Sequence, residues 1–124
     1  MGIYYKYHEH YSQSILIRKF VGQINVDDVI NSWEFLLDSE MINDNMVGII
    51  SDLSNCELEI DLDSFHKLTS YLRDNKRLVK IKQAVVSDDP KTVVFPTLGE
   101  QNERDLKIKP FSTESAAVNW IINS

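Results

Sequence analysis

The sequence predicts an α/β domain: an N-terminal β-hairpin, then β-α units forming a mixed, mostly parallel sheet of about five strands with about four helices. Three observations carry that prediction. Met46 to Leu53 is an unbroken apolar run, which implies a strand buried on both faces, as parallel strands are. Two β-branched or aromatic segments near the N-terminus are joined by a short polar link, the pattern of a hairpin. Segments with helical spacing then alternate with the remaining strands, so the strands are joined by crossovers.

Taken in order, Ile3 to His8 alternates and is rich in tyrosine, which suits a strand. Ser14 to Val21 is a second strand that carries Arg18 and Lys19, and Glu9 to Gln13 links the two. Gly22 breaks the pattern. Val26, Val29, Ile30, Trp33, Leu36 and Leu37 draw one stripe along a helix, with Asn25 as N-cap and Asp27 and Asp28 in the favoured first turn. The third strand, Met46 to Leu53, delivers Asp52 and Ser54 to its carboxyl end, where open α/β sheets place their sites. Leu62, Phe65, Leu68, Thr69 and Leu72 form the next helical stripe, capped by Asp61 or Asp63.

Ile81 to Ser87 is the fourth strand. Asp89-Pro90 starts a helix, because proline loses nothing at the first helical position. Pro96 then faults that helix, which is expected to be short, kinked or broken around Val93 to Leu98. Leu106 to Phe111 closes the sheet, and Ser112 caps a last helix bearing Ala116, Ala117, Trp120 and Ile121. Phe111 is expected to staple onto Ala116, with both alanines letting the helix approach the sheet. The N-terminal hairpin and the last residues are the candidates for disorder.

At 124 residues the chain suits one domain, residues 1–124, with one core. A net charge of −6 argues against nucleic acid as the partner. The local cluster of Arg73, Lys76, Arg77, Lys80 and Lys82 is read as complementing a helix dipole rather than as a phosphate patch. No apolar run approaches the roughly 20 residues of a membrane-spanning helix, and the first residues lack a signal-peptide layout. One cysteine, Cys56, excludes an internal disulfide, so a reducing, cytoplasmic setting is expected.

Candidate chemistry is sparse. His8, Glu9 and His10 invite a metal, but a closed zinc site usually needs about four ligands and no further one is evident, so no metal or cofactor is expected. Cys56 lacks a glycine-rich elbow and is read as a packing residue. The four glycines are scattered and make no phosphate loop. His66 sits one residue off its helical stripe and reads as a boundary residue. Asp52, Asp61 and Asp63 could form an acidic mouth, but helix N-termini attract aspartate for dipole reasons alone. The domain is therefore not expected to be an enzyme.

The phrase Lys107-Ile108-Lys109-Pro110-Phe111-Ser112-Thr113-Glu114-Ser115-Ala116-Ala117-Val118-Asn119-Trp120-Ile121 resembles the ending of the SpoIIAA-like (STAS/SEC14-type) family. Ala84-Val85-Val86-Ser87-Asp88-Asp89-Pro90 looks like that family's fourth strand and following turn, and Asp52-Leu53-Ser54 like the end of its third strand. The resemblance implies a regulatory or ligand-binding domain. On the SEC14-type side it implies a small apolar or lipid-like ligand, which we assign to a pocket between the sheet and the Pro96 helix, lined by Val94, Phe95 and Leu98. On the anti-sigma-factor-antagonist side it implies a protein partner, docking over Asp52, Ser54, Asp61, Asp63 and Ser64. That type carries a phosphorylatable hydroxyl and a glycine at the helix start; here Ile60-Asp61-Leu62-Asp63-Ser64 stands instead, with Ser64 the substitute acceptor weighed against a capping role. A terminal hairpin also leaves a sheet edge to be covered, which makes a homodimer an open option.

Overall fold

The computed structural model describes residues 2–90, 92, 93, 95, 97 and 106–123. Five strands, β1 (Gly2–His10), β2 (Gln13–Asn25), β3 (Met46–Glu59), β4 (Lys82–Val86) and β5 (Ile108–Phe111), stand in the sheet in the order of the chain. β1 runs antiparallel to β2, and the other neighbours are parallel. Four helices are assigned among the described residues: α1 (Val26–Asp38), α2 (Leu62–Asp74), α3 (Lys76–Val79) and α4 (Glu114–Asn123). Pro90, Thr92, Val93, Phe95 and Thr97 are helical as well. No helix among the described residues is long and apolar enough to cross a membrane.

Right-handed crossovers that always add the next strand on the same side put their helices on one face of a sheet. The burial follows that rule. Leu16, Phe20, Ile49 and Leu53 point to a face covered by α1, α2 and α3, through Trp33, Leu36, Leu72 and Leu78. Ile15, Ile17, Ile50, Ala84 and Val86 point the other way, onto Ala117 and Ile121 of α4. Gly48 lets that helix in: a Cβ there would lie 2.5 Å from Ile121 Cγ2, inside any real contact.

Several boundaries differ from expectation. The N-terminal hairpin is not loose: β1 pairs with β2 over all nine of its residues, and only Tyr11 and Ser12 turn, with Tyr11 at φ 55°. β2 runs through Gly22, whose φ of 95° accommodates a kink that other residues resist. β3 does not stop at Leu53. It continues to Glu59, beyond its last pairing with β4 at Asp52, so that Gly22–Asn25 and Cys56–Glu59 form a two-stranded ribbon overhanging the sheet.

The basic cluster divides. α2 ends at Asp74 with only Arg73 in its last turn, Asn75 caps the short α3, and Arg77 donates instead to the Ile42 carbonyl at 2.7 Å. The last helix is capped by Thr113, not Ser112: its Oγ1 accepts from the Ala116 amide at 3.2 Å. That one-residue shift leaves Ala116 exposed and Ala117 buried, and Phe111 meets Trp120 at 5.5 Å rather than Ala116. Asn25 and Asp28 make the reciprocal capping box at the start of α1.

Candidate functional site

A cavity of about 80 Å³ lies between the sheet and the three-helix face. Its walls are mostly apolar, including Phe20, Trp33, Leu53, Phe65, Leu68 and Phe95; its polar lining is Arg18, Ser51 and Gln83. The ring of Phe95, in the helical stretch after β4, stands 5.5 Å from that of Phe65 on α2 and forms one wall. Phe95 was expected at such a pocket. Val94 and Leu98, named with it, lie outside the described residues.

Arg18 is the residue that sequence reasoning missed. It shares a sheet face with Leu16 and Phe20 and is only 2% exposed. Its Nη1 donates to Ser32 Oγ of α1 at 3.1 Å, and its Nη2 to Ser51 Oγ of β3 at 2.7 Å. Tyr5, the cross-strand neighbour of Arg18, shares Ser32 through its hydroxyl at 2.9 Å. The guanidinium lies 4.0 Å from the Trp33 ring centroid and 5.0 Å from that of Phe20. Burial pushes its pKa down to about 9, with Tyr5 pulling the other way, so it remains a cation at neutral pH.

Two features of this cation are unusual. Among the described residues no carboxylate pairs with it, and its Nε is buried without a hydrogen-bond partner. Burying a charge costs several kcal/mol even after relaxation. A desolvated cation–π contact returns about 2 kcal/mol, and the two hydroxyl partners bring no opposite charge. The compensation is incomplete, and the Nε–H is where it is missing.

The acidic candidates are placed differently. Asp52 is not at a strand end but at a bulge, where Leu53 and Ser54 together oppose Phe20. Its carboxylate accepts the Ser54 amide at 3.0 Å and sits 3.9 Å from Lys19 Nζ. Asp61 caps α2 through the Ser64 amide at 2.8 Å, and that hydrogen bond holds its carboxyl below the usual aspartate range. Asp63 is exposed in the first turn, and Ser64 is half-buried. Asp61 and Ser64 line an open groove between the starts of α1 and α2, together with Asn25, Asp27, Glu59 and Lys67. Ser54 lies on another surface, with the ribbon residues 56–59 between the two in the chain.

Cys56 donates weakly to the Leu53 carbonyl at 3.5 Å. Burial, with a smaller push from Asp52, raises its thiol to about 11, so at neutral pH it is not the thiolate a nucleophile needs. His66 is exposed on α2. Among the described residues no group of three or more His, Cys, Asp or Glu is placed to hold a metal ion, the neighbourhood of His8 and His10 included.

No protein-family model matches the sequence, and no curated protein matches it. Solved structures do. An uncharacterised protein of the DUF3478 family, with a SpoIIAA-like fold, from Shewanella loihica PV-4 is 15% identical; the match covers 97% of this chain and 93% of that one, at a TM-score of 0.63. The anti-sigma factor antagonist SpoIIAA in its unphosphorylated form is 11% identical over 98% of this chain and all of that one, at a TM-score of 0.55. The five-stranded mixed sheet, its helices and these matches agree with the resemblance drawn from the closing phrase: the chain has the SpoIIAA-like fold.

Proposed function

We propose that this is a non-enzymatic regulatory domain that binds a small molecule in the cavity between the sheet and the three-helix face. The observation that carries the reading is a mostly apolar cavity with a few polar groups inside it, the composition of a ligand site. Its volume, about 80 Å³, is well below the roughly 300–1,000 Å³ of sites for drug-sized ligands, so it favours a molecule of a few heavy atoms over a whole lipid. Phe95 is the wall whose displacement would admit more. A high Cys56 pKa and a capping role for Asp61 speak against hydrolytic chemistry at either place. Native mass spectrometry of gently purified protein, with thermal shifts across a panel of small amphiphiles, tests the reading. A retained mass or a dose-dependent rise in Tm supports it. A clean apo mass with no shift across the panel rejects it.

A second reading has its own observation. Asp61 and Asp63 are exposed at an open groove or beside it, and one similar structure is an anti-sigma factor antagonist, so a protein partner docking over Asp61, Asp63 and Ser64, with Asp52 and Ser54 outside that groove, is the alternative. Pull-downs with wild type and Asp61→Lys/Asp63→Lys separate the two. Equal recovery of a partner by both rejects that surface.

A further inference from the structure

We infer that the cavity takes a small monocarboxylate, with its carboxylate on the Arg18 guanidinium and its apolar chain running toward Phe65 and Phe95. This rests on the cavity being a ligand site and names the chemistry of what enters it. The guanidinium has five N–H donors in a fixed fork. Ser32 and Ser51 each take one, on different nitrogens, and among the described residues the buried Nε–H has no hydrogen-bond partner. A planar carboxylate matches a guanidinium better than any neutral group, because it brings both acceptor geometry and the missing negative charge.

The charge balance narrows the class. Among the described residues, the polar neighbours of this buried cation are neutral: Tyr5, Ser32, Ser51 and, in the cavity lining, Gln83. A monoanion neutralises it. A phosphate dianion would leave an excess negative charge among Phe20, Trp33, Leu53 and Phe65, where desolvation penalises it. The mostly apolar remainder of the lining calls for a hydrocarbon chain rather than a sugar or a second charged group. Burial of the headgroup with the chain pointing outward also means that chain length is read only at the Phe95 side.

The test compares butyrate with 1-butanol at neutral pH, by NMR titration of the whole protein labelled with ¹⁵N, with inorganic phosphate as a third probe. Butyrate is expected to bind wild type at least about tenfold more tightly than the alcohol, as a charge-assisted hydrogen bond demands. It is also expected to move the Arg18 Nε–H resonance. In Arg18→Met the preference should vanish while the alcohol binds as before. The comparison within wild type stands even where that variant folds poorly. Equal binding of acid and alcohol to wild type overturns the inference and leaves an apolar ligand site. Phosphate binding more tightly than butyrate overturns the carboxylate class. No binding by straight-chain acids or alcohols from two to eight carbons, together with an empty panel in the thermal assay, removes the ligand site itself.

Discussion

The two faces of the sheet are built from the same strands and solve burial in opposite ways. On the α4 face, Ile15, Ile17, Ile50, Ala84 and Val86 meet Ala117 and Ile121, and the backbone at Gly48 touches the helix side chains directly. On the three-helix face, larger residues leave a cavity, and a cation with two serine partners sits inside it. Close packing gives stability and leaves no room for chemistry; the looser face gives up some packing for a polar group that an apolar side chain could replace. The contrast separates the two faces: the α4 face is packed to hold the sheet, and the three-helix face is where the proposed ligand site lies.

That division can be broken most severely at α4. Ile121→Ala is expected to lose about 2–5 kcal/mol, the usual range for emptying a well-packed aliphatic site, measured by urea unfolding. Gly48→Ala should cost about 1–3 kcal/mol through overpacking, and adding Ile121→Val should restore part of it. A double variant no better than Gly48→Ala alone would show that the close approach is not what makes the glycine necessary. Asn25→Ala removes a capping box on the other face and is expected to cost about 1 kcal/mol. Arg18→Met sharpens the comparison by its sign: replacing a buried, incompletely compensated charge with an apolar side chain should leave stability level or raise it by about 1 kcal/mol. A large loss on Arg18→Met would make Arg18 a structural keystone and would join the two faces in one task.

The smallest effect is a pH dependence. The Asp61 carboxyl is held below 3.8, the ordinary aspartate value, by the Ser64 amide. Its contribution to stability is therefore present above that value and lost as pH falls through its lowered pKa. Asp61→Asn should flatten that part of the acid limb of a stability–pH curve. An unchanged curve would show that other carboxylates set the limb.

Much of this arrangement was written in local pattern. The stripe from Val26 to Leu37, the Asn25 cap and the two-sided apolar run of β3 each have one physical reading, and the fold places them accordingly. Other parts needed tertiary knowledge. Arg18 lies in a strand buried on both faces, so neither parity marks it as exposed or buried, and its partners Ser32 and Ser51 are ordinary small polar residues until the register brings them together. The ribbon end of β3 did carry a signal: Cys56 and Leu58 alternate with exposed Asn55, Glu57 and Glu59, the period of a half-buried strand. Its polar composition sets it apart from the apolar run that ends at Leu53. Ser112 and Thr113 are chemically equivalent caps, and only the hydrogen bond to Ala116 decides between them.

The order of the strands has a consequence for how such a sheet comes into being. Because neighbours in the sheet are neighbours in the chain, each strand can dock beside one already in place, with no later strand inserted between two earlier ones. A sheet of this kind can grow in one direction as a nascent chain lengthens. The three-helix face gains its cover step by step during that growth. The α4 face does not: Ile15, Ile17, Ile50 and Val86 wait for a helix that begins only at Glu114. Synthesis halted before that residue would release a nearly complete sheet with one face bare and apolar, a natural target for chaperones.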